Sequence, residues 1–161
     1  MTPPQENTNV APQQDMAVLD QVKKERGAPQ RLTTEEILAK SLEGSGQDPL
    51  KFQAALSNLI ETDNKFRVSR SGNTLFIFYR VSPDTVEIQM ETADNARGLV
   101  NAMKDAAAAA KAAGFKHGIA EVTNPDMVKA YRAAGLNFQL RSTGGVMEDG
   151  QTPEQYVTLE F

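Results

Sequence analysis

Glu87 and Glu91 alternate with Val86, Ile88 and Met90, so the two carboxylates share the wet face of one strand, while Glu121 stands on another. Carboxylates placed in this way serve either as proton acceptors or as a solvated surface. A second candidate is the stretch Asn95-Ala96-Arg97-Gly98-Leu99-Val100, which opens a long helix. Free backbone N–H groups and the positive end of a helix dipole hold anions at such a point, and a glycine such as Gly98 allows close approach. Asp94, just before it, puts a competing carboxylate there, and Arg97 offers a compensating cation or a solvated surface charge. The third candidate is Tyr131. A phenol donates a proton only where its hydroxyl reaches the reacting atom, and otherwise the ring packs on a sheet. His117 is the single histidine and there is no cysteine. Disulfides, thiolate metal sites and a cysteine nucleophile are therefore excluded, and a histidine-based metal centre is argued against.

The elements that must position these groups are well marked. Thr33 and Glu36 form a capping box, with Leu32 and Ile37 placed as a hydrophobic staple, and the helix they open is expected to run to about Glu43. Asp48-Pro49, cap and first-turn proline, starts another, whose expected buried stripe is Phe52, Ala55, Leu56, Leu59 and Ile60. Three strands follow. Lys65–Arg70 alternates, Gly72 turns the chain, Thr74–Arg80 is apolar on both faces, and Val86–Met90 has one wet face. Phe66, Phe76 and Phe78 read as core, because no basic stripe interleaves with them as in a base-stacking platform. A long helix over 95–113, with Asp94 as the expected cap and Gly114 as the stop, buries Leu99, Met103, Ala106, Ala107 and Ala110. Strand 119–122 leads into Asn124-Pro125, a cap and first-turn proline, and Gly135 ends that helix. Strand 137–141, a glycine-rich excursion over 142–153 and a closing strand 155–161 complete the chain.

The bulk numbers narrow the class. At 161 residues the chain supports one domain with length left for an arm, and 40% hydrophobic with 24% charged residues is ordinary for a soluble globular protein. A net charge of −4 argues against a dominant nucleic-acid footprint. No apolar run reaches the roughly 18 residues of a membrane span, and no secretion signal is visible. Residues 1–14 carry three prolines and few apolar side chains, a composition expected to be disordered alone, with a partner chain as the first candidate to order it. Met16, Leu19 and Val22 mark a narrow helical stripe over about 15–26. The expected organisation is thus an extended arm with a short amphipathic helix over 1–30, followed by a domain over 31–161.

The spacing Asn124, Tyr131, Gly135 with Leu136 after it resembles the acyl-CoA-side helix of the GNAT (N-acetyltransferase) superfamily, N-x-x-A-x-x-x-Y-x-x-x-G-F. The element order from about residue 33 onward also resembles that family after its first strand. The resemblance implies an α/β fold: a mixed, mostly antiparallel central sheet with helices on both faces. It also implies a pyrophosphate loop, R/Q-x-x-G-x-G/A, which Asn95–Val100 matches at Gly98 but not at Asn95 or Val100. If the chain is active, Arg97, Gly98 and Asn124 would hold acetyl-CoA and Tyr131 would protonate the departing thiolate, with Met127 standing where the family has a small residue. The texture is also similar to small GNAT-like proteins of tailed bacteriophages, some of them virion components. The first expectation is therefore a non-catalytic, cofactor-free assembly protein of a virion. It would bind neighbouring subunits through residues 1–30 in an oligomer or larger assembly, with no specific nucleic acid and no membrane. The alternative is a cytoplasmic CoA-dependent N-acetyltransferase acting on an amine. Val100, Met90 and Met127 are the side chains expected to fill the gap between the splayed strands if it is closed.

Overall fold

The computed structural model describes residues 31–123 and 125–161. The expected arm and the helix over 15–26 lie outside them. Helix α1 (Thr34–Ser41) opens on the expected capping box: Thr33 Oγ1 accepts from the Glu36 amide at 3.1 Å, and Glu36 Oε1 accepts from the Thr33 amide at 2.8 Å. It ends two residues before Glu43, capped at Leu42. Helix α2 (Pro49–Thr62) starts where Asp48 Oδ1 accepts from the Leu50 amide at 2.9 Å. Of its expected stripe, Leu56 and Ile60 are buried, but Leu59 is 41% exposed and Ala55 faces solvent. The reason is position. This helix packs on α1 and on an edge strand, which gives it a single narrow seam to bury.

Strands β1 (Phe66–Ser71), β2 (Thr74–Ser82) and β3 (Thr85–Thr92) form an antiparallel meander. Its first turn uses Gly72 at φ 58°, a left-handed conformation that a β-carbon would strain. Helix α3 (Ala96–Ala112) crosses over to β4 (His117–Val122), then α4 (Pro125–Ala133) leads to β5 (Asn137–Val146) and β6 (Pro153–Glu160). Much of the expected excursion over 142–153 is strand: β5 continues to Val146, with irregular pairing between Ser142 and Val146. The sheet order is β1-β2-β3-β4-β6-β5, and β3 with β4 is the parallel pair. No helix among the described residues is long and apolar enough to cross a membrane.

Alternation assigns the faces. Phe76, Val86, Ile88, Ala120, Val157 and Leu159 point to one side, where they form the largest core cluster with Met103, Ala106 and Ala110 of α3 and Ala130 and Tyr131 of α4. Alanines on α3 let that helix lie close to the sheet. On the opposite side, Val68 and Ile77 pack under α2, and Leu75 packs under α1. Residues 31–33 are tied to the β1–β2 turn: Asn73 Oδ1 accepts from the Leu32 amide at 3.1 Å, and Arg70 donates to the Leu32 carbonyl.

A groove between splayed strands

The parallel pair β3–β4 is short. Thr85 pairs with His117, Val86 with Gly118 and Glu87 with Ile119, after which the two strands run on without pairing each other. Strand pairing requires backbones about 4.8 Å apart, so loss of pairing marks a divergence. The gap opens into a groove of about 640 Å³. Lys40 and Ser41 of α1 with the capping Leu42, Leu99 of α3 and Met127 of α4 border it, and Met90 and Met127 line it rather than close it. Val100 is not part of its lining.

The sheet face inside the groove is acidic. Glu87, Gln89 and Glu91 alternate along β3, and Glu121 faces them from β4. Glu91 is only 8% exposed; it accepts from Ser41 Oγ at 2.7 Å and from Gln89 Nε2 at 2.9 Å. Ser41 Oγ in turn accepts from the Thr92 amide at 3.0 Å, so one hydroxyl joins α1 to the end of β3. Glu87 and Glu121 are exposed. Asp126 also borders the groove and pairs with Lys129 at 3.6 Å, which leaves Lys40 as the cation of the lining.

At the start of α3 the cap is Asn95, not Asp94. Asn95 Oδ1 accepts from the Gly98 amide at 2.9 Å. Asp94 is recruited elsewhere: its Oδ2 accepts from the Asn73 amide at 2.9 Å and from Thr74 Oγ1 at 2.7 Å, across to the β1–β2 turn. That placement explains Gly98 structurally, because a β-carbon there would stand 2.9 Å from the Asp94 carboxyl carbon. Arg97 is exposed on the first turn. With the Gly98 and Leu99 amides both bonded to Asn95, the Ala96 and Arg97 amides remain as donors for an anion among the described residues.

Tyr131 is 2% exposed, and its ring lies 5.7 Å from that of Phe138. Among the described residues its hydroxyl has no hydrogen-bond partner, and desolvation pushes its pKa well above the ordinary tyrosine value. The residue borders a cavity of about 10 Å³ and not the groove itself, but Ile88 and Met90 border both spaces. Asn124 lies outside the described residues. His117 sits at the far end of β4, its Nδ1 3.0 Å from Glu160 Oε2 on the exposed surface. The described residues hold no group of three or more side chains able to bind a metal.

No family model matches the sequence, and no curated protein matches it either. Solved structures do match the fold. The ribosomal-protein-S5-alanine acetyltransferase of Vibrio fischeri superposes with TM-score 0.58 at 10% identity, covering 79% of this chain and 86% of its own. A GNAT phosphinothricin acetyltransferase of Sinorhizobium meliloti, solved with acetyl-CoA, gives 0.53 at 16% identity over 96% of this chain and 86% of its own. The yncA protein of Salmonella typhimurium, solved with its cofactor acetyl-CoA, gives 0.53 at 15% identity over 78% and 85%. The fold is therefore GNAT-like. These neighbours correct the expectation of a cofactor-free protein, since two of them were solved with acetyl-CoA. Similarity to phage proteins receives no support from them.

Proposed function

We propose that the chain is a CoA-dependent N-acetyltransferase acting on a cationic amine. The observation that carries this reading is the open splay of β3 and β4, with Glu87 and Glu91 facing Glu121 across the gap on one face of the sheet and the start of α3 beside it. Acetyl-CoA would supply a thioester carbonyl as acyl donor. The amides of Ala96 and Arg97 and the Arg97 side chain would hold its anionic groups. Asp94 stands against Gly98 at the same turn, but its Oδ2 is taken up by the Asn73 amide and the Thr74 hydroxyl, so the anion would bind beside a carboxylate that is already hydrogen-bonded.

The exposed carboxylates Glu87 and Glu121 attract a protonated amine and take up its proton, so that the nitrogen is neutral when it attacks. Glu91, committed to Ser41 and Gln89, holds the end of β3. Tyr131 would give its Oη proton to the departing thiolate only once its hydroxyl is brought into the groove, from which Ile88 and Met90 separate it in this conformation. A role in virion assembly would rest on residues 1–30, and nothing in the described fold supports it.

Calorimetry with acetyl-CoA tests the first half: ligand at about a hundredfold excess over Kd stabilises a fold by about 2.7 kcal/mol. Absence of both heat and a melting-point rise at millimolar acetyl-CoA rejects the proposal. Thiol release with spermidine, a lysine-containing peptide and a neutral amide tests the second half. The first two should react, and Glu87→Gln with Glu121→Gln should both raise KM and lower kcat for them.

A further inference from the structure

A second cavity lies on the other side of the sheet, at the opposite end of α3. It measures about 330 Å³, within the range of pockets that enclose small molecules. Alternation along β1 and the register Arg67↔Phe78 put Lys65, Arg67, Phe78 and Arg80 on one face, and the Arg80 amide donates to the Lys65 carbonyl at 3.0 Å. Ala109, Ala110 and Ala113 lie above them, and no larger side chain of α3 takes up the space. Phe78, Val86 and Phe115 supply apolar walls. From the first turn of α3 to Ala109 is roughly 18 Å along the helix, so this cavity is separate from the groove.

Its electrostatics are unusual for a chain of net charge −4. Three cations border the cavity and no carboxylate does. Among the described residues none of the three makes an ion pair. Like charges over an apolar floor repel, which disfavours the arrangement unless an anion joins it. Both guanidinium groups are already oriented by backbone carbonyls. Arg67 Nη1 donates to Asn64 O at 3.1 Å and Phe66 O at 2.9 Å, and Arg80 Nη1 donates to Pro83 O at 3.2 Å. Arg80 is also stacked 4.6 Å over the Phe115 ring. Held this way, each fork keeps its Nε and Nη2 donors uncommitted among the described residues, a geometry suited to phosphate oxygens.

We infer that this cavity binds a small phosphate monoester whose organic body is apolar. The phosphate lies between Arg67, Arg80 and Lys65, and the body rests on Phe78, Val86 and the alanines of α3. The inference is independent of acetyl transfer.

Amide-shift titrations of the full chain with phenyl phosphate, inorganic phosphate and benzyl alcohol test it. Phenyl phosphate should shift the amides of Lys65, Arg67, Arg80 and Phe115 in a saturable way and bind more tightly than inorganic phosphate, while benzyl alcohol leaves them unmoved. Arg67→Gln with Arg80→Gln should weaken phenyl phosphate by roughly tenfold or more. Ala109→Leu keeps every cation but fills the space above them, and should abolish binding as well. The inference is overturned by the absence of saturable shifts at millimolar phenyl phosphate, or by shifts confined to the first turn of α3. Unchanged affinity in the arginine variant, or persistence in Ala109→Leu, overturns it equally.

Discussion

Replacing Tyr131 with phenylalanine separates stability from reaction at one atom. The ring would keep its place beside Phe138, and only the hydroxyl, buried and without a partner among the described residues, is removed. A hydroxyl desolvated without a hydrogen bond costs about 1–3 kcal/mol. Even the low end, about 1 kcal/mol, should raise the melting temperature by about 2–4 °C for a domain of this size. Urea unfolding at neutral pH, with an unchanged denaturant slope, is the direct measurement. The pH dependence adds a second readout. Burial raises the folded pKa above the unfolded value of about 10, so in alkali the unfolded chain ionises first and binds fewer protons. Wild-type stability attributable to this residue is complete below pH ~10 and falls above it, and the phenylalanine variant lacks that fall. Its advantage should therefore widen in alkali. In the same variant acetyl transfer should drop by roughly a hundredfold. A variant less stable than wild type by about 1 kcal/mol or more refutes the reasoning, because it shows that the hydroxyl is bonded in solution.

Other outcomes follow from the same contacts. Gly98→Ala should destabilise by about 1–3 kcal/mol by overpacking against Asp94, and Asp94→Ala, which removes the carboxyl but keeps the β-carbon, should relieve part of that loss in a double-mutant cycle read by urea unfolding. Ser41→Ala strips a donor from buried Glu91 and an acceptor from the Thr92 amide, and should cost about 1–3 kcal/mol. The Thr152 hydroxyl, then the Gln151 and Thr152 amides, hold the Asp149 carboxyl below its ordinary pKa. Order in the β5–β6 turn should therefore be present above the unfolded aspartate value and be lost as pH falls through the folded one. Amide shifts of Gln151 and Thr152 under acid titration would follow that loss.

What the sequence made legible was local. Thr33 with Glu36, and Asp48 with Pro49, declare their helices because a cap bonds amides two or three residues away, a relation that spacing alone encodes. Asp94 and Asn95 are equally competent caps side by side. What decides between them is a turn some twenty residues upstream, where Asn73 and Thr74 claim the Asp94 carboxylate. Leu59 fits a helical stripe as well as Ile60 does, but periodicity does not show that α2 lies at the margin of the sheet. Glu87, Glu91 and Glu121 were visible as wet-face carboxylates, whereas their convergence depends on where β3 and β4 stop pairing. Strand alternation puts Lys65, Arg67 and Arg80 opposite the Val68 face, and does not show that they share a cavity. The alanines that leave space above them belong to a helix about thirty to fifty positions on.

The three-residue seam between β3 and β4 has a mechanical meaning. Among the described residues it is the whole of the strand pairing between one leaf of the sheet, β1-β2-β3, and the other, β4-β6-β5. Otherwise the leaves are joined by α3 against α4 and by the core beneath them. A sheet bound in this way behaves like a book with a short spine. Pulled across the strands it should part first at Thr85–Glu87, and a molecule lodged between the pages would act as a clasp, resisting the force in proportion to its grip on both.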